Sequence, residues 1–169
     1  SIRHLELGGR QRRRDVQAFA EAADGSIWVG TQGLARVDPQ TFAVQGAILP
    51  QLDRVPVLHL LADGDALLIG TYDGLYRYEP ASGALAHIEH VANDPGSLAS
   101  STVRQITRVN GAYWYLTSRG ISIATAADQR SGFVNLLPDP ADPDALPGNQ
   151  LDSLAVDARG RIWVGTAAG

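Results

Sequence analysis

One motif recurs four times along this chain, and that recurrence limits the fold more than any other feature. The first copy reads A-D-G-S-I-W-V-G-T-Q-G-L-A-R-V-D-P, from Ala23 to Pro39. The second reads A-D-G-D-A-L-L-I-G-T-Y-D-G-L-Y-R-Y-E-P, from Ala62 to Pro80. A looser third runs from Val109 to Ile123, and a fourth from Asp157 to Gly169. The threonines Thr31, Thr71, Thr117 and Thr166 mark the register, with spacings of 40, 46 and 49 residues. Trp28, Leu68, Trp114 and Trp163 each lie three positions before a threonine. A second signature keeps step: Asp94-Pro95-Gly96-Ser97-Leu98 with Val103 and Ile106 returns 48 residues later as Asp142-Pro143-Asp144-Ala145-Leu146 with Leu151 and Leu154.

A repeat of this length is that of one four-stranded propeller blade. Each copy reads as four short strands. The first is an apolar run: 16–21, 57–61, 103–109 and 151–156. An Asp-Gly or Asn-Gly turn follows, the chemistry of tight hairpins. The second strand, such as Ile27–Thr31, is apolar on both faces and should be covered on both. Its glycine should let a neighbouring blade approach closely. The third strand ends at Asp38-Pro39 or Glu79-Pro80, because proline cannot continue a ladder. An outer strand is expected at 42–48, 85–90 and 133–137. Helical periodicity is absent. The fold class is therefore all-β, a β-propeller segment of about three and a half four-stranded antiparallel blades within one partial domain spanning 1–169. The repeats fall at about 16–50, 57–92, 103–138 and a truncated 151–169, and residues 1–15 serve as a connector or as the outer strand of a preceding blade. Such an arc leaves a blade face open, so the chain is part of a longer propeller, pairs with a second copy, or closes as a small ring.

Composition excludes several functions. There are no cysteines, which removes thiolate metal sites and cysteine nucleophiles. Net charge is -4, and the one basic cluster (Arg10, Arg12, Arg13, Arg14) reads as a solvated connector, so nucleic acid is not an expected partner. No apolar stretch is long enough for a membrane span, and no membrane contact by this segment is expected. The glycines form no phosphate-binding loop, and no nucleophile elbow is present. Asp24, Asp63 and Asp157 recur at the same turn, so they read as turn formers rather than catalytic acids. The four threonines and the three tryptophans recur likewise, and read as strand-end caps and core. His87 and His90 face opposite sides of a strand; His87 and Glu89 share one, but two ligands do not make a site. No catalytic residue, metal site or cofactor is expected, and the chain does not read as an enzyme.

Recognition groups are expected where the repeats differ, on the loops of one face. Tyr72, Asp73, Ser118 and Arg119 in the second-to-third-strand turns, with Arg54 in a blade connector, are the candidate ligand-binding residues. An aromatic ring with a carboxylate and a guanidinium suits a polar ligand such as a sugar.

The strings D-G-S-I-W-V-G-T-Q-G-L-A-R-V-D-P and D-P-G-S-L-A-S-S-T-V-R-Q-I resemble the two-component regulator propeller repeat, a likeness extending from about Val16 to Gly169. The third copy departs most, with Leu116 at the glycine position and Ile121 at the usual leucine. The resemblance implies the periplasmic sensor region of a bacterial signal-transduction receptor, with seven-bladed propellers and a kinase or cyclase output module elsewhere in the parent protein. It also implies a small-molecule ligand, often an oligosaccharide. A protein-interaction or self-assembly scaffold, using open blades, is the alternative.

Overall fold

The structure, a computed structural model, describes residues 15–126, 132–148 and 150–167. Residues 1–14, which hold most of the connector or preceding outer strand and the arginine cluster considered above, lie outside them. Three successive four-stranded antiparallel meanders and one hairpin account for the regular structure. Blade 1 holds β1 (Ala18–Glu21), β2 (Ile27–Thr31), β3 (Gly33–Val37) and β4 (Val44–Gln45). Blade 2 holds β5 (Val57–Asp63), β6 (Ala66–Thr71), β7 (Gly74–Glu79) and β8 (Ala84–Ile88). Blade 3 holds β9 (Val103–Val109), β10 (Ala112–Thr117), β11 (Ile121–Ala124) and β12 (Val134–Leu136). The β13 (Leu151–Val156) and β14 (Ile162–Thr166) hairpin starts blade 4. A single 3-10 turn at Pro50–Leu52 lies in the connector between blades 1 and 2. The all-β propeller architecture expected from the repeat is the one observed.

The outer strands are shorter than their sequence suggests. Residues 42–48 yield only Val44–Gln45, because Phe42 (φ 59°) and Ala47 (φ 51°) take left-handed conformations that interrupt the ladder on both sides.

The blades stack side by side through their first strands, β1 against β5, β5 against β9, and β9 against β13. The resulting core is a series of layers between sheets. Trp28, Leu34, Leu60, Leu67 and Ile69 fill the layer between blades 1 and 2. Leu68, Leu75, Val103, Ile106 and Tyr115 fill the next. Leu116, Ile121, Leu151 and Leu154 fill the third, with Trp114 packed on them.

The glycine that precedes each threonine sets the spacing. A Cβ at Gly30 would lie 2.5 Å from Val57 Cγ1, and one at Gly70 would lie 2.7 Å from the Val103 carbonyl oxygen. In both cases the next blade's first strand occupies the place of the missing side chain. Blade 3 carries Leu116 there, and it meets Leu151 with a fully buried side chain. Gln105 reinforces this third interface. Its amide nitrogen donates to the Leu154 carbonyl (2.6 Å) and its amide oxygen accepts from the Leu154 N–H (2.9 Å).

The reading of all three tryptophans as core needs correction. Trp28 is 3% exposed and Trp114 is half-buried, but Trp163 is 59% exposed. The physical reason is its direction. Each tryptophan points toward the following blade, and none of the described residues forms a sheet beyond β14.

The close approach at Gly70 is testable. Gly70→Ala places a methyl group against backbone and should cost about 1–3 kcal/mol, as overpacking does. The same change at Gly46, which has open space around its Cβ position, should move the urea midpoint little.

Candidate ligand-binding face

In an antiparallel meander, alternate connections emerge at opposite ends of the sheet. The β2–β3, β6–β7 and β10–β11 turns therefore share one face of the arc with the connectors between blades. Every residue expected to bind ligand lies on that face.

The buried threonines build its turns. Thr71 Oγ1 donates to the Gly74 carbonyl (2.8 Å) and accepts from the Asp73 N–H (2.9 Å). Thr117 Oγ1 does the same with the Gly120 carbonyl (2.8 Å) and the Arg119 N–H (3.3 Å). These hydroxyls are fully consumed by backbone, as their recurrence implied. Asp73 and Arg119 consequently hold equivalent turn positions in neighbouring blades and carry opposite charges.

Beside Arg119 the face opens into a cleft of about 420 Å³, lined by His90, Asn93, Asp94, Asn135 and Leu137 among others. Much of its polar wall is already engaged. His90 Nδ1 donates to the Leu98 carbonyl (2.6 Å), and Asp94 Oδ1 accepts from the Gly96 N–H (2.9 Å). Asn135 donates to the Pro95 and Ser97 carbonyls (3.0 and 2.8 Å) and accepts from Ser122 (2.7 Å). Among the described residues, the Arg119 guanidinium and the Asn93 amide have no hydrogen-bond or ion-pair partner, and both are exposed. Asn93 is held at φ 66°. These groups can grip the oxygens of a polar molecule.

The other expected residues are not gathered into this cleft. Ser118 is tied to Ser100 by a 2.7 Å contact between hydroxyls, and its N–H donates to the Thr102 carbonyl. Tyr72 is 57% exposed at the top of its turn. Arg54 (φ 69°) stands exposed in the first connector. Asp73 belongs to a separate group on blade 2. It accepts from the Tyr76 hydroxyl (3.1 Å), and its carbonyl accepts from His87 Nε2 (2.6 Å). His87 in turn stacks flat on the Tyr76 ring, with centroids 4.0 Å apart. Burial, and then the nearby Asp73 and Glu89, push the Tyr76 phenol up to about 12, so it remains a donor to Asp73. His90, Asn93, Asp94 and Asn135 were not singled out from the sequence. They converge only because the 91–101 connector folds back against β12.

The repeated aspartates on the opposite face are structural, though not all in the same way. Asp24 accepts from Ser26 N–H (3.0 Å) and Ser26 Oγ (2.6 Å), and pairs with Arg36. Asp157 gathers the Arg159 and Arg161 N–H groups, the Arg161 side chain and Trp163 Nε1 (3.2 Å). Asp63 instead ties blade 2 to blade 3, accepting from the Tyr113 hydroxyl (2.6 Å) and Arg108 (3.1 Å).

Meander sheets stacked side by side through their first strands define a β-propeller segment. Residues 145–168 match the sequence model of the two component regulator propeller. No curated protein matches the chain in sequence. Among solved structures, it resembles the extracellular domain of a B. thetaiotaomicron protein described as a hybrid two component system, BT4673. The TM-score is 0.73 at 23% identity, over 89% of this chain and 20% of that one. The extracellular domain of BT3049, from the same organism and described in the same way, gives 0.69 at 20% identity, over 92% and 22%. The computationally designed Ika4 protein gives 0.51 at 12% identity, over 98% of both chains. At these identities the likeness is one of fold. The chain spans about a fifth of the two extracellular domains.

Acid titration should reveal the hairpin aspartates. Hydrogen bonds from Ser26 hold Asp24 at about 2, and bonds led by the Arg161 N–H do the same for Asp157, both below the ordinary 3.8. A carboxylate depressed on folding adds stability above its unfolded value and loses it as pH falls through the folded one. The melting temperature should therefore drop between about pH 4 and pH 2, and Asp157→Asn should shrink that drop.

Proposed function

We propose that this chain is a non-catalytic sensing segment of a bacterial extracytoplasmic receptor, and that its loop face binds a polar small molecule such as an oligosaccharide. The observation that carries this reading is the cleft beside Arg119. It joins an unpaired guanidinium and a free amide to a wall on which Asn135 and one nitrogen of His90 are already engaged. That arrangement suits binding, since nothing in it is set up to activate a nucleophile. The repeat family and the extracellular domains of similar fold support the signalling and extracytoplasmic parts of the proposal. Any kinase or cyclase output would belong to other parts of a parent protein. No helix among the described residues is long and apolar enough to cross a membrane.

A thermal-shift screen against oligosaccharides and polar metabolites tests the proposal. A binder should raise the melting temperature progressively with concentration. Arg119→Ala should weaken that response about tenfold or more while leaving the ligand-free melting temperature nearly unchanged. A full response in the variant would remove the cleft from consideration.

A second reading, self-assembly, is favoured by the exposure of Trp163. Its counterpart Trp28 is sealed by the next sheet, so the open face of blade 4 is shaped to receive a sheet of the same design from a second copy. Sedimentation velocity should then show concentration-dependent association that Trp163→Glu abolishes. A monomer at all concentrations would dismiss this reading.

A further inference from the structure

We infer that blade 2 carries a binding site for a zinc-class divalent metal ion, formed by Asp73, His87 and Glu89 at the rim of the loop face. One donor atom from each of these residues lies within 4.8 Å of the others. The three come from two places in the sequence. Asp73 sits in the β6–β7 turn, while His87 lies on β8 and Glu89 follows just beyond its end.

The hydrogen bonding favours a cation at this point. His87 Nε2 is 2.6 Å from the Asp73 backbone carbonyl. A carbonyl can only accept, so Nε2 carries a proton, and Nδ1 is the ring nitrogen left to act as a ligand. That nitrogen faces Glu89 Oε2 at 3.9 Å. The two atoms are close enough for one metal ion to bond to both. The ring is also fixed in the manner typical of metal-binding histidines, whose second nitrogen donates to a carbonyl or carboxylate. Tyr76 stacks on one side of it. Gly74 clears the space beneath: a Cβ there would lie 2.9 Å from His87 Nε2. Tyr76 also donates to Asp73 Oδ2, which orients the carboxylate and leaves its other oxygen available.

The donor set selects the ion. One imidazole and two carboxylates suit Zn²⁺ and its first-row neighbours, whereas Mg²⁺ prefers six oxygens. Tetrahedral coordination at about 2.0–2.2 Å brings ligand atoms to roughly 3.3 Å from one another. The side chains need to close by up to about 1.5 Å, and the partly exposed His87 and Glu89 can rotate that far. Three protein ligands leave a coordination position open to water or to an oxygen of a bound molecule.

Calorimetric titration of the tag-free chain with Zn²⁺ at pH 7.5 tests the site, with Co²⁺ visible absorption as a second readout of coordination. We expect saturation at one ion per chain, no comparable uptake of Mg²⁺, and at least tenfold weaker binding in His87→Ala, Glu89→Gln and Asp73→Asn. Asp152→Asn, an exposed acid on blade 4, should bind as the parent does. Glu89→Gln alters an exposed side chain and keeps the test decisive should His87→Ala disturb the stacking on Tyr76. Absence of saturable Zn²⁺ binding, or parental affinity in Glu89→Gln and His87→Ala, would overturn the inference.

Discussion

The arrangement depends on how closely a blade's first strand can approach the second strand of the blade before it. At the first two interfaces the approach is set by a missing side chain: Val57 nests over Gly30 and Val103 over Gly70. The third interface solves the same problem differently. Leu116 fills the glycine's place, and the contact becomes leucine against leucine. Less backbone nesting is possible there, and the two hydrogen bonds from Gln105 to Leu154 supply register that the close approach supplies elsewhere. A repeat architecture tolerates such exchange because each sheet needs only to match its neighbour.

That division of labour explains where recognition groups can reside. Thr71 and Thr117 spend their hydroxyls on the turn backbone, so the residues between threonine and glycine are free to vary without loss of the turn. Blade 1 has only Gln32 in that gap, blade 2 has Tyr72-Asp73, and blade 3 has Ser118-Arg119. The same scaffold thereby presents an amide, an acid and a base at successive positions. The acid is drawn into the group with Tyr76 and His87, while the base is left facing the cleft.

Much of the blade plan could be read from the sequence because it is local. Alternation, Asp-Gly turns and Pro stops each act within a few residues, and β9 and β13 fall where the apolar runs place them. The exceptions are all non-local. The outer strand β4 is cut short by left-handed residues whose conformation has no strong sequence mark at Phe42 or Ala47. Asp63 looks identical to Asp24 in its motif, yet it serves the next blade because Tyr113 and Arg108 arrive there. Arg119 and Asp73 were legible as deviations from the repeat. Their partners were not, since Asn93 and Asn135 approach across the connector, and Glu89 and His87 gain a third ligand only when β7 brings the Asp73 turn beside them.

The cleft lies at the joint between the β8–β9 connector and blade 3. Its floor is the connector that runs from β8 to β9, which is held in shape by bonds of its own and fastened to blade 3 through β11 and β12. His90 takes the Leu98 carbonyl, Ser101 Oγ accepts the His90 N–H, and Asn135 on β12 holds the Pro95 and Ser97 carbonyls. A molecule bridging Asn93 on the connector and Arg119 on the β10–β11 turn would add one more fastening across the same joint. Its binding free energy would appear as resistance to the connector and blade 3 moving apart, because a ligand stabilises only the arrangement in which both contacts exist. Trp163 is 59% exposed, so covering the rest of a side chain that buries roughly 150–250 Å² would add about 2–4 kcal/mol at the usual coefficient.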